Sequence, residues 1–281
     1  MKREREDMEH PSEPPLSPVS ETTGAQGSWL RRKRKDLLVS FVFLLLAGAL
    51  VGAGHDAYLW FRKSPPYVDP VRYPIRGIDV SSHNGFMNLE AAREEGIDFV
   101  FIKASEGGDF RDPNFRLNYA KARHAGMKIG AYHFFRFDVD GISQARNLID
   151  AVGGRRLDLG LAVDVEKAGN ARGVPLDSIL DRLGRMSEYL SLCGYRPIFY
   201  SNLNGYFDYL EKSVPGMPLW ICSFNQIPIE RDWVFWQFNH HGQVAGIKGD
   251  VDLDVFYGSE EEWGQFIEDQ HYPAGDDNSE T

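Results

Sequence analysis

In the segment Leu161-Ala162-Val163-Asp164-Val165-Glu166, two carboxylic acids stand two positions apart at the end of an apolar run. Alternate residues of a β-strand point to the same side, so Asp164 and Glu166 are expected to project together. Two neighbouring carboxyl groups push their pKa values apart, leaving one able to hold a proton near neutrality. A protonated acid beside an ionised carboxylate is the pair that glycoside cleavage requires. Taken alone, an Asp-x-Glu pair is a weak signal, because most such pairs are solvated strand ends. More acids recur at or near other strand ends: Asp79, Glu106, and then Asp250, Asp252 and Asp254. Carboxylates on apolar strands are costly unless hydrated, paired or at work.

Aromatic residues accompany these acids. Flat apolar rings can cover the C–H faces of sugars, and Tyr132, Tyr200, Trp220 and Trp236 are placed suitably along successive strands. Aromatic residues more often fill cores. Tyr132, Tyr200 and Trp236 are assigned to the cleft because polar His133, Asn202 and Gln237 stand close by. His240-His241 read as loop residues, since no third ligand has metal-binding spacing, and neither metal nor cofactor is expected. Cys193 and Cys222 form no CxxC or Cys/His motif and read as two buried free thiols, a bridge between them in an oxidising compartment being the alternative.

The elements that must carry these groups alternate between strand and helix from Arg76 onward. Strands are expected at 77–80, 99–104, 128–135, 159–165, 196–201, 219–224, 233–238 and 251–256. Helices are expected at 88–95, 114–124, 142–152, 176–192 and 260–268, several of them ended by glycine. Eight strands with intervening helices in fewer than 200 residues favour a closed, TIM-like α/β barrel over an open sheet. Functional groups gather at the C-terminal ends of barrel strands, where these acids lie. The last strands lack long helices between them, so the barrel is expected to be irregular there.

The remainder of the chain is not globular in pattern. Residues 1–36 hold eight Lys/Arg against seven Asp/Glu and no hydrophobic periodicity, and read as a disordered cytoplasmic tail. Residues 37–61 are long and apolar enough for a transmembrane anchor. The preceding Arg31-Arg32-Lys33-Arg34-Lys35 predicts a cytoplasmic N-terminus and an external catalytic domain on the cytoplasmic (inner) membrane. A cleaved signal peptide, releasing a secreted enzyme, is the rival reading, with Gly52-Ala53-Gly54 near a cleavage position. The long tail ahead of the span favours the anchor. Residues 62–74, with four prolines, read as a spacer, and 269–281 as a disordered acidic tail. The whole chain carries a net charge of −10, and everything after residue 36 sums to −11. Nucleic acid is therefore not an expected partner, because it needs a Lys/Arg surface.

Several ordered segments resemble one known family, the glycoside hydrolase family 25 muramidases, or Chalaropsis-type lysozymes. They are Gly77-Ile78-Asp79-Val80-Ser81, Phe101-Ile102-Lys103-Ala104-Ser105-Glu106-Gly107, Gly130-Ala131-Tyr132-His133-Phe134 and Ala162-Val163-Asp164-Val165-Glu166. Ile198-Phe199-Tyr200-Ser201, Leu219-Trp220-Ile221, Trp236-Gln237 and Gly249-Asp250-Val251-Asp252-Leu253 follow. The resemblance covers about residues 75–268 and implies an irregular (β/α)5β3 barrel, acting as a monomer on peptidoglycan. It implies cleavage of the β-1,4 bond between N-acetylmuramic acid and N-acetylglucosamine. Glu166 would be the general acid. Asp164 would polarise the substrate's 2-acetamido group, whose carbonyl oxygen attacks the anomeric carbon. Asp79 and Asp252 match acids lining the family's cleft, and Glu106 either works there or anchors its strand-end loop. Cys222 and Phe224 depart from the usual Ala and Tyr. A non-catalytic glycan-binding barrel and a chitinase-like hydrolase are the competing readings.

Overall fold

The computed structural model describes residues 23–63, 66–228 and 233–270. The chain divides into two compact units, 1–61 and 62–281. In the first, helix α1 (Thr23–Lys63) contains one stretch, Arg32–His55, long and apolar enough to cross a membrane, with a mean hydropathy of 2.5. Its described apolar side chains between Leu37 and Val51, such as Leu44 and Leu50, are exposed. The helix begins earlier than the sequence suggests: 23–36, expected to be disordered, are helical. The Arg/Lys run consists of good helix formers, and no proline follows Pro18 before the span. The rest of the tail, 1–22, and most of the acidic end, 271–281, lie outside the described residues.

In the second unit, β1 (Arg76–Val80), β2 (Phe99–Glu106), β4 (Lys128–Phe134), β5 (Gly160–Asp164), β6 (Ile198–Asn202), β7 (Leu219–Cys222), β8 (Trp233–Gly242) and β9 (Val251–Phe256) form a ring. The β1–β2 pairing closes it, giving a mixed α/β eight-stranded barrel. Seven strands run parallel, while β9 is antiparallel to both β8 and β1. The two-residue β3 (Phe110–Arg111) pairs with β2 outside the ring. Helices α2 (Leu89–Glu94), α3 (Phe115–His124), α4 (Gly141–Val152) and α5 (Leu176–Leu192) connect the first strands. The β6–β7 connection, expected without a long helix, contains the short pieces α6 (Leu203–Gly205), a π-turn (Tyr206–Leu210) and α7 (Glu211–Ser213). The final helix α8 (Glu260–Asp269) opens on a capping box between Ser259 and Glu262.

Strand alternation divides the core in two. Val100 and Ile102 of β2 join the layer between strands and helices, whereas Phe99 and Phe101 fill the barrel interior. Two glycines make room for those rings. A Cβ at Gly77 would lie 2.2 Å from Phe99, and one at Gly130 2.3 Å from Phe101. Phe235 and Trp263 complete the aromatic packing, and Trp263 brings α8 against this interior cluster. Above it, Trp220 stacks on Phe101 with ring centroids 4.5 Å apart.

The proline-rich segment is not wholly a free spacer. Tyr73 is 1% exposed and packs against Trp233 and Trp236, and Val68 is half-buried against the same layer. The docked barrel therefore begins a few residues before β1, because a large aromatic side chain gains more from burial than the chain gains from freedom.

Candidate active site

The far end of the interior is acidic. A cleft of about 320 Å³ opens there, lined by Asp79, Asp164, Glu166 and Asp252, by Tyr132, Tyr200, Trp220, Phe134 and Phe224, and by Lys103 and Gln237. Asp79 stands directly opposite Asp252 across the β1–β9 pair, and Asp164 opposite Tyr200 across β5–β6. Because β9 runs antiparallel, its start meets the ends of the parallel strands, which brings Asp252 to the same rim as Glu166.

Asp164 is the last residue of β5 and is 9% exposed. Its Oδ1 atom is buried without a protein hydrogen-bond partner. Burial and the Glu166 charge raise its pKa well above the ordinary carboxylate range, with the Lys103 ammonium opposing. The Glu166 carboxyl is also raised, by burial and then by the charge of Asp252. Burial lifts Asp252 to about 6. Asp79 lies well above its usual value through burial, with the Asp252 and Asp254 charges adding to it. The Tyr132 and Tyr200 hydroxyls, raised by burial, remain protonated donors. Such a group of acids titrates together and retains protons into a range where isolated carboxylates are ionised.

Glu106 does not line the cleft. Its carboxylate accepts from Lys103 Nζ at 2.8 Å and from Arg136 at 3.3 Å, tying β2 to the loop after β4. Trp236 is the clear displacement. It is fully buried, donates from Nε1 to the Ser223 carbonyl and packs on Tyr73, Trp233 and Phe238, in the layer outside the barrel. Adjacent residues of a strand face opposite ways, so with Trp236 outside, Gln237 points in. Gln237 donates to Asp79 at 2.6 Å and accepts from the Tyr200 hydroxyl at 2.8 Å. Trp220 does line the cleft, and its indole N–H donates to Asp254, 2.8 Å away. Gln237, Lys103, Phe134, Phe224 and Asp254 are thus site or supporting residues beyond the sequence assignment; extending the period-two pattern through β2, β8 and β9 would have found Lys103, Gln237 and Asp254.

His133 is fully buried, between Ser105 and Gln144, and burial lowers its pKa to about 4. It is a neutral strut below the loop. Both cysteines are free. Among the described residues no group of His, Cys, Asp and Glu has the arrangement of a metal site.

An acid-lined cleft with aromatic walls at one end of an α/β barrel defines a glycosidase-like site. The chain belongs to glycosyl hydrolases family 25, whose profile matches residues 78–247. It is 34% identical over 184 residues to the autolytic lysozyme of Clostridium acetobutylicum, a match covering 65% of this chain and 56% of that protein's length. It is 35% identical over 207 residues to the uncharacterized protein YegX of Escherichia coli, covering 71% of this chain and 75% of the relative. The structure of a family 25 glycosyl hydrolase from Bacillus anthracis superposes with a TM-score of 0.66 at 33% identity, covering 72% of this chain and 96% of that one.

Proposed function

We propose that the protein is a membrane-tethered N-acetylmuramidase, which hydrolyses the β-1,4 bond between N-acetylmuramic acid and N-acetylglucosamine in peptidoglycan. The observation that carries this reading is the Asp164/Glu166 pair. Both acids line one cleft, both are shifted toward the protonated form, and Asp164 Oδ1 is buried without a protein partner. A buried acceptor left open is costly unless substrate fills it.

In this reading Glu166 protonates the leaving glycosidic oxygen. The substrate's own acetamido carbonyl oxygen attacks the anomeric carbon from the opposite face, forming a cyclic oxazolinium intermediate. Asp164 accepts a hydrogen bond from the acetamido N–H through Oδ1 and stabilises the positive charge that develops there. Glu166, now ionised, takes a proton from water as that water attacks the anomeric carbon, which opens the ring and restores the acid. Asp79 and Asp252 hold the sugar and flank the pair, and Tyr132, Tyr200 and Trp220 offer rings to its apolar faces. No cofactor takes part. The likeness to a protein named an autolytic lysozyme supports the substrate assignment.

The Arg32–His55 stretch is the anchor, with the basic residues on the cytoplasmic side and the barrel outside, working as a monomer. The test is digestion of purified peptidoglycan by wild type and Glu166→Gln. Wild type should release new reducing ends on muramic acid, and the variant should lose about 100-fold or more of the rate with its fold intact. New reducing ends on glucosamine, or a variant of near-normal activity, would sink the assignment.

A further inference from the structure

Past Glu166 the cleft wall continues into a second pocket that the proposed reaction does not use. It has a volume of about 730 Å³ and lies between the loop after β5, residues 167–174, and the β6–β7 connection. Buried Phe137, Ile179 and Tyr209 give it an apolar floor, with the Phe137 and Tyr209 ring centroids 5.0 Å apart. Lys167 and Arg172, both exposed, bring two cations to its lining. The Phe134 ring, which lines the cleft, borders this pocket as well: a Cβ on Gly169 of the pocket wall would lie 3.3 Å from it.

The loop is fastened rather than free. Asn170 Nδ2 donates to the carbonyls of Glu166 at 2.7 Å and Phe135 at 2.9 Å, and its Oδ1 accepts from the Phe137 N–H at 2.7 Å. Arg136 Nη1 donates to the Gly169 carbonyl at 3.1 Å. The pocket is thus formed before any ligand arrives, and its wall is tied to the residue read as the general acid. Neighbouring cations are engaged within the protein: Lys103 and Arg136 with Glu106, Arg185 with Asp140, and Arg182 with the Phe137 carbonyl. Lys167 and Arg172 enter no ion pair or side-chain hydrogen bond with the described residues. Two open cations over an apolar floor, in a chain of net charge −10, suit anionic groups carried on a partly apolar chain.

We propose that this pocket binds the free carboxylates of the stem peptide on the muramic acid beside the scissile bond, with Lys167 and Arg172 as their partners. The inference rests on the reading of peptidoglycan as the substrate. The stem peptide leaves the sugar ring through the lactyl ether, and its γ-linked D-glutamate and C-terminal residue keep free carboxylates. An extended peptide spans about 3.5 Å per residue, so the first of these carboxylates stays within about 10 Å of the sugar. A glycan seated over Asp164 and Glu166 therefore has its nearest peptide acid within reach of a wall that starts one residue further on. The cleft itself is lined by carboxyl groups, which offer that acid no counter-charge. The two cations thus set the side on which the peptide lies, and its alkyl parts rest on the apolar floor.

The experiment offers the full-length protein two forms of solubilised peptidoglycan, native and with its peptide carboxyls amidated. Amidation keeps the length and bulk of the peptide and removes its negative charge. For wild type, kcat/KM on the native form should exceed that on the amidated form by about five- to tenfold, through KM, as expected for two exposed charge pairs. In Lys167→Ala/Arg172→Ala this ratio should fall to near unity. Arg156→Ala/Arg196→Ala removes as much charge from the loops that precede β5 and β6, at the opposite end of the barrel, and should keep the wild-type ratio. A wild-type ratio of unity overturns the proposal. So does a pocket variant in which both rates fall and the ratio stays, since the loop would then be merely structural. An equal fall of the ratio in Arg156→Ala/Arg196→Ala also overturns it, by making net charge the cause. Failure of the muramidase reading shows separately, as new reducing ends on glucosamine or as no cleavage of either form.

Discussion

Asp158 precedes β5 and Asp164 ends it, and both are buried, yet they meet opposite surroundings. Asp158 accepts from Arg123 at 2.9 Å and from the Ile129 backbone N–H at 3.1 Å, with Lys128 at 4.0 Å. Asp98, at the same end of β2, is paired with Arg93 at 2.9 Å and accepts from the Arg76 N–H. At the other end, Asp164 shares its space with Glu166, Asp252 and Asp79, and Lys103, the one cation that lines that cleft among the described residues, is already paired with Glu106. One end of the barrel neutralises its acids with cations and backbone donors. The other concentrates them and leaves a carboxylate oxygen open. Burial of an acid therefore does not identify a site; burial without neutralisation does.

The contrast breaks most visibly at Asp164. Asp164→Asn removes the charge that would stabilise the acetamido intermediate, and turnover should fall about 100-fold with little change in KM. The chain should fold at least as well, since a buried carboxyl that is costly to ionise there is replaced by a neutral amide of the same shape. Steady-state kinetics with a denaturation curve would check both halves. Cleavage of glycans stripped of N-acetyl groups as fast as intact ones would remove Asp164 from the assisted mechanism.

At the neutralised end the expectation is reversed. Asp158→Ala leaves the buried Ile129 N–H without its acceptor and Arg123 without its counter-ion, and should cost about 2–4 kcal/mol of stability. Turnover per folded molecule should stay at the wild-type value, because no Asp158 atom approaches the cleft. Urea denaturation and active-site-normalised rates would separate the two effects. A loss of turnover in the folded fraction would mean that the two ends are not independent.

The contrast also explains what the sequence made legible. Every barrel strand but β8, which runs past its expected end to Gly242, and the connecting helices α2 to α5 fall close to their expected limits, since alternating strand and amphipathic patterns carry that information. Asp79, Asp164, Glu166 and Asp252 meet because strand ends of a closed barrel converge. The side of each strand was harder to read. Trp236 and Gln237 are neighbours, and choosing the aromatic for the cleft inverted β8, although the one-residue alternation from Phe235 identifies Gln237. Asp254 was visible as an acid, but its role depends on a contact with Trp220 from another strand, and strand pairing across the barrel is not written locally. Tyr73 was hidden in a proline-rich segment whose composition suggests only a linker.

The smallest effect concerns Asp252, where the burial of an acid should be readable as a pH-dependent stability. Its carboxyl is lifted from 3.8 to about 6, chiefly by burial. A folded-state pKa above the unfolded one means that folding favours the protonated form. The stability associated with that proton is fully present below about pH 4, where both states hold it. It is lost as pH rises through about 6, because the unfolded chain releases its proton first and so gains on the native state. Above that range the folded protein carries a roughly constant penalty of about 2–3 kcal/mol at this position. Asp252→Asn replaces the acid with a neutral group of the same shape and removes the penalty. Urea unfolding of the barrel, followed in detergent by tryptophan fluorescence, should therefore show the variant more stable than wild type at pH 7.5 by about 2 kcal/mol. At pH 4 the two should unfold at nearly the same urea concentration. A stability gain that is the same at both pH values would trace to packing rather than charge, and would remove Asp252 from the acids whose burial without neutralisation sets this end of the barrel apart.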